Sequence, residues 1–140
     1  MTKSYLIVPW DIFLTRVKTT IGVVFRGIDD FAAQGDHENV AWQSIEGWEE
    51  MDNEEILKKA APLRGVFGEI YAVTDASYMR KFGALGAFAL DANGLNDFVK
   101  NRLSEFGVCF FDGDTVIASL RRRRVWLLHH EGFYAEIAHR

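Results

Sequence analysis

One acidic residue, Glu69, stands inside the apolar run Gly65-Val66-Phe67-Gly68-Glu69-Ile70-Tyr71-Ala72-Val73-Thr74-Asp75. The run reads as a strand, whose side chains alternate between faces, so Glu69 shares a face with Phe67, Tyr71 and Val73 while Val66, Gly68, Ile70 and Ala72 take the other. An unpaired carboxylate among aromatic rings is costly, because water that would solvate the charge is excluded. Glu69 is therefore matched by a cation from elsewhere in the protein, or kept for a ligand, or placed on the solvent face of an edge strand as most glutamates are.

The other residues with chemical potential are weaker signals. Tyr78 and Arg80 follow the strand in a polar stretch, where an aromatic ring and a guanidinium suit contacts to a small ligand as well as ordinary packing and solvation. Glu105 falls near the end of a periodic helix, off its apolar face. Gly65-x-x-Gly68 marks a close backbone approach, by a ligand or by a neighbouring strand. His129-His130-Glu131 has metal-binding residue types, yet neighbouring strand residues diverge and no second ligand set stands at a useful spacing, so solvated turn residues are expected there. Ser and Cys nucleophile motifs are absent, and the single Cys109 lies among Val108, Phe110 and Phe111 as a core thiol would. Arg121-Arg122-Arg123-Arg124 has the charge to bind phosphate, but alternation along a strand sends neighbouring arginines to opposite faces, and no aromatic stacking motif accompanies them in sequence. A structural or interfacial role is expected for the run.

These residues must be positioned by a small set of elements. Thr19 to Arg26 is β-branched and apolar enough for a strand, broken by Gly27, Asp29 and Asp30. Asp52 with Glu55 three residues later marks a helix N-cap, and Ile56, Leu57, Ala60 and Ala61 give that helix an apolar face before Pro62 and Gly65 end it. The Glu69 strand follows, then an apolar strand from Ala84 to Leu90. A second helix is predicted by Leu95, Phe98, Val99, Arg102, Leu103 and Phe106, with Asn93 as N-cap and Gly107 as the stop. Val108 to Phe111 and Thr115 to Leu120 are expected to form a hairpin through Asp112-Gly113, and Val125 to Leu128 and Phe133 to Ile137 a second one around Glu131-Gly132. The order is strand, helix, strand, strand, helix, strand. It predicts an α+β fold: a ferredoxin-like antiparallel sheet with two helices on one face, plus additional C-terminal strands. The other face then needs a cover, from the extra strands, the N-terminal segment or another subunit.

Composition sets the outer bounds. With 140 residues, 49% hydrophobic and 26% charged, the chain is expected to fold as a single domain, 1–140. A formal charge of −4 gives no general attraction to nucleic acid or anionic membranes. A lone cysteine excludes an intrachain disulfide and fits a reducing, cytoplasmic compartment. The apolar patch Tyr5 to Trp10 is short and interrupted by Asp11 and Arg16, so neither a signal peptide nor a membrane span is expected.

Ala60-Ala61-Pro62, Gly65-Val66-Phe67-Gly68, Thr74-Asp75 and Tyr78-Met79-Arg80 together resemble the S-adenosylmethionine-degrading enzymes of coliphages and related environmental phages. The later strand, helix and Val-Cys-Phe-Phe segment keep the same order, so the likeness falls within residues 20–120. The Trp-rich N-terminal portion to Trp48 has no counterpart in it.

That resemblance implies a ferredoxin-like homotrimer with substrate bound between subunits, and a lyase reaction in a family formerly described as hydrolases. The substrate's own carboxylate attacks its γ-carbon, giving 5′-methylthioadenosine and homoserine lactone, with no cofactor. It further implies an anti-restriction role for a phage protein in the host cytoplasm. Carried onto this chain, Glu69 and Glu105 become the acidic catalytic residues, and Phe67, Gly68, Tyr71, Tyr78 and Arg80 the substrate contacts. The rival expectation is a small acidic binding or inhibitor protein, its charge gathered at Asp29, Asp30, Asp36, Glu38, Glu46, Glu49 and Glu50.

Overall fold

The computed structural model describes residues 5–22, 42–60, 66–74, 77, 86–101, 115–129 and 132–138. They build a seven-stranded, wholly antiparallel sheet in the order β1-β4-β3-β5-β6-β7-β2, joined by a few helices. The strands are β1 (Tyr5–Pro9), β2 (Gln43–Ser44), β3 (Glu69–Val73), β4 (Gly86–Asp91), β5 (Thr115–Ser119), β6 (Arg124–His129) and β7 (Phe133–Ala138). The α-helices are α1 (Trp10–Ile21), α2 (Asn53–Ala60) and α3 (Leu95–Lys100). Among the described residues no helix is long and apolar enough to cross a membrane.

The first correction falls at the N-terminus. Thr19, Thr20 and Ile21, predicted to open a strand, are the last turn of α1. The helix buries Phe13, Val17 and Ile21, one residue per turn on a single stripe, and burial of that stripe outweighs the modest helix penalty of two threonines. Asp11 in the first turn and Lys18 in the last complement the helix dipole. Gly22 stops it in the left-handed conformation (φ 82°), its N–H donating to the Val17 and Lys18 carbonyls.

The sheet is covered on both faces. Ile70, Ala72, Phe88, Leu90, Ile117, Trp126 and Leu128 pack with Ile56 and Leu57 of α2 and with Leu95, Phe98 and Val99 of α3. The alternate residues Tyr71, Val73, Ala87, Ala89, Val116, Ala118, Val125 and Leu127 pack with Phe13, Val17 and Ile21 of α1. The N-terminal segment thus supplies a cover for the second face. α2 is capped as the sequence predicts, with the Glu55 N–H donating to Asp52 Oδ1 at 2.8 Å. The N-cap of α3 is Gly94 rather than the expected Asn93 and makes no side-chain bond; a 3₁₀ turn over Ala92–Gly94 precedes the helix and is capped by Asp91 Oδ1, which accepts the Asn93 N–H at 2.9 Å. Residues 102–114 lie outside the described set.

The β6–β7 hairpin forms as expected, with Trp126 opposite Glu136 and Leu128 opposite Tyr134. β5 is hydrogen-bonded to β3 on one edge and to β6 on the other; its expected hairpin partner Val108–Phe111 lies outside the described residues. A ferredoxin-like order would place the strand after the second helix beside the first strand; here β5 lies beside β3 and β1 stands at the sheet edge.

Candidate functional site

Three segments meet at one end of the sheet. Glu69 opens β3 and stands opposite Asp91, which closes β4. Tyr71 stands opposite Ala118, so the start of β3 is level with the end of β5 and with the turn Leu120–Arg123 that follows. Gly68, just before β3, has φ +84°, a conformation open to glycine and strained for other residues. Its carbonyl accepts the Ala92 N–H at 2.9 Å, which ties the β3 start to the turn after β4.

Glu69 is exposed and is anchored at one oxygen. The Tyr71 hydroxyl donates to Glu69 Oε1 at 2.6 Å. Arg16 of α1 in turn donates from Nη1 to the Tyr71 oxygen at 2.6 Å. Tyr71 is only 1% exposed, its ring centroid 5.5 Å from that of Phe13. Burial, followed by donation to the Glu69 carboxylate, pushes the Tyr71 hydroxyl above its ordinary pKa of 10.0, against the pull of Arg16. It is therefore a neutral phenol near neutral pH, which makes it a standing donor to Glu69. Glu69 belongs to an interior strand and is neither a buried orphan nor a freely solvated edge residue. One of its oxygens is fixed by a buried partner, and the side chain as a whole faces water.

Asp91 reads in the sequence only as the end of the preceding strand, although Asp-x-Asn ahead of a helix carries a capping signature. It is exposed and directly cross-strand from Glu69. Like charges in that arrangement repel unless a cation or a hydrogen bond offsets them, and the Asn93 N–H supplies one such bond to Asp91.

Phe67 is placed differently from its expected position beside Glu69 and Tyr71. Alternation does not carry through Gly68, and Phe67, 49% exposed, packs against the arginine turn. The guanidinium carbon of Arg121 lies 4.3 Å from the Phe67 ring centroid and that of Arg122 lies 5.8 Å from it. Rather than alternating along one strand, Arg121–Arg123 form the turn of the β5–β6 hairpin, a structural role as expected of the run, and Arg124 begins β6, where it pairs with Glu136 at 3.2 Å. The aromatic partner absent from their sequence neighbourhood is supplied from far away. The structure thus brings together Phe67, Gly68, Glu69 and Tyr71 and adds Arg16, Asp91 and Arg121; Tyr78, Arg80 and Glu105 lie outside the described residues, as do Cys109, His130 and Glu131. Among the described residues no group of three or more His, Cys, Asp or Glu is arranged to hold a metal ion.

This end of the sheet holds a carboxylate bound by a buried phenol and, on the neighbouring turn, a guanidinium over an aromatic ring. No protein-family model matches the chain, and no curated protein and no solved structure gives a match.

Proposed function

We propose that the chain degrades S-adenosylmethionine to 5′-methylthioadenosine and homoserine lactone, with Glu69 holding the substrate's ammonium group. The observation that carries this reading is the anchoring of Glu69 by buried Tyr71, which fixes a carboxylate at the end of the sheet while leaving it open to a ligand. In the reaction one oxygen of the substrate carboxylate attacks the γ-carbon, the γ-carbon–sulfur bond breaks, and its electron pair returns to sulfur as a neutral thioether. No proton moves. The carboxylate and the sulfonium both lose their charge, whereas the ammonium keeps its own from substrate to product. A protein carboxylate on the ammonium therefore remains fully useful in the transition state, while one on the sulfonium stabilises the ground state more. Catalysis then rests on folding the methionine chain into attack geometry and excluding water.

Glu105, Tyr78 and Arg80 stay candidates for completing the site, and a second copy of the chain, in a homotrimer as the resemblance implies, is the proposed source of the remaining wall. Light scattering that gave the 15.9 kDa monomer at micromolar concentration would count against that assembly. The direct test is incubation of purified protein with S-adenosylmethionine and chromatography of the products. Methylthioadenosine is the expected product, and unchanged substrate would sink the proposal. In isotopically labelled water a lyase leaves the γ-oxygen of homoserine unlabelled; label at that oxygen would make the enzyme a hydrolase.

A second reading is favoured by one observation. Glu46, Glu49, Glu50, Asp52, Glu54 and Glu55 are all exposed within one short stretch, as a binding protein for a basic partner would have them; Asp29, Asp30, Asp36 and Glu38 lie outside the described residues. Neutralising Glu49, Glu50 and Glu54 together would leave S-adenosylmethionine turnover intact in the first reading and would abolish partner capture in the second.

A further inference from the structure

Glu69 accounts for one charge of an amino-acid head group, and the structure holds a candidate for the other. We propose that Arg121 binds the substrate carboxylate, so that Glu69 and Arg121 together read the ligand as an α-amino acid. For the identity of the ligand this inference rests on the S-adenosylmethionine reading above.

Three observations support the assignment. First, a Cβ on residue 68 would stand 3.4 Å from Arg121 Nη1 and 3.8 Å from its Cδ, so the arginine lies directly against the backbone residue that precedes Glu69. Glycine leaves that side clear. Second, Arg121 is exposed and carries no ion pair among the described residues, unlike Arg124, which is matched by Glu136. Its guanidinium carbon lies over Phe67 at 4.3 Å, and a ring beneath a guanidinium steadies it while leaving its in-plane N–H donors available for a carboxylate. Third, the turn that presents it is fixed. Buried Ser119 accepts the Arg122 N–H at 3.2 Å, the Leu120 carbonyl accepts the Arg123 N–H at 3.2 Å, and Arg123 sits at φ 55°. A left-handed arginine is tolerated when its surroundings over-determine the turn, and such positions gather at ligand clamps.

The chemistry gives this assignment a signature. The carboxylate charge vanishes as the lactone forms, so a contact from Arg121 is strongest in the ground state. Arg121 should therefore set affinity rather than rate: its loss raises KM and does not lower kcat.

The test uses the full-length protein, S-adenosylhomocysteine and the same molecule without its carboxylate, two probes with a neutral sulfur that differ only at the group in question. By calorimetry the wild type is expected to prefer the carboxylated probe by about tenfold to hundredfold, the range of a charge-assisted contact. Arg121→Gln is expected to erase that preference and to raise KM for S-adenosylmethionine at undiminished kcat. Arg121→Lys, which keeps the charge and loses the fork, should restore part of both. A wild type that binds the two probes equally, or an Arg121→Gln protein that keeps the preference or loses kcat at constant KM, would overturn the role of Arg121 while the enzyme reading stands. A wild type that neither binds the probes nor consumes S-adenosylmethionine overturns both.

Discussion

Trp126 and Tyr71 are both almost wholly buried in the same sheet, each a large ring with one polar atom, yet the two faces treat that atom in opposite ways. On the α2/α3 face the Trp126 Nε1 has no hydrogen-bond partner among the described residues. On the α1 face the Tyr71 hydroxyl has two, accepting from Arg16 and donating to Glu69. An unmade bond at a buried donor is a pure cost that packing must offset. A doubly satisfied hydroxyl has a further consequence, because it carries order from the core to an exposed carboxylate. The first face is therefore a packing solution, and the second joins the core to the end of the sheet where Glu69, Asp91 and the arginine turn meet.

The largest effect is expected at Trp126. Trp126→Ala removes a buried ring from the core cluster that includes α2 and α3 residues and should cost about 3–5 kcal/mol of stability, read as a lower denaturant midpoint. If instead it left stability nearly unchanged, the α2/α3 face would not be the packed core described above.

Tyr71→Phe comes next. It keeps the ring against Phe13 and deletes the hydroxyl, leaving Arg16 and Glu69 without their shared partner; a net loss of about 0.5–1.5 kcal/mol is expected, with a drop in activity because Glu69 loses its anchor. A pH arm sharpens this. The folded-state pKa of Tyr71 is raised above its ordinary 10.0, so the native state holds the proton where the unfolded chain releases it. That contribution is fully present below pH 10 and is lost as pH rises through the folded value. Thermal unfolding above pH 10 should therefore weaken more steeply in the wild type than in Tyr71→Phe; parallel curves would mean that the hydroxyl titrates as it does in the unfolded chain.

The smallest effect is expected at Arg124. Its pair with Glu136 is open to water, with side chains 52% and 39% exposed, so Arg124→Ala should change stability by no more than about 1 kcal/mol and leave the site untouched. A large loss of activity there would extend the site to all four arginines.

The sequence made some of these regions legible and hid others for physical reasons. α2 was readable because Asp52 and Glu55 form a cap within one turn, and the β6–β7 hairpin because strand, turn and strand are contiguous. α1 was misread because Thr19, Thr20 and Ile21 look like a strand locally, while the stripe that decides the matter, Phe13, Val17 and Ile21, acts only once a sheet face receives it. The strand carrying Glu69 and the sharing of its face with Tyr71 were readable from alternation alone. Arg16 was not, because its bond to Tyr71 spans 55 residues of sequence. The contact of Arg121 with Phe67 was equally hidden, since it exists only because β5 crosses to β3.

If the carboxylate anchored by Tyr71 holds the cationic end of S-adenosylmethionine, as we propose, the charge of Glu69 is what the substrate needs. Glu69→Gln keeps the shape of the side chain and removes its charge. Substrate consumption and thermal unfolding should be measured together on this variant and the wild type. A fold of unchanged stability with kcat/KM lowered by roughly tenfold to more than a hundredfold is the predicted result, as expected for one charge-assisted contact of about 1.5–3 kcal/mol. A Glu69→Gln protein as active and as stable as the wild type would contradict the claim.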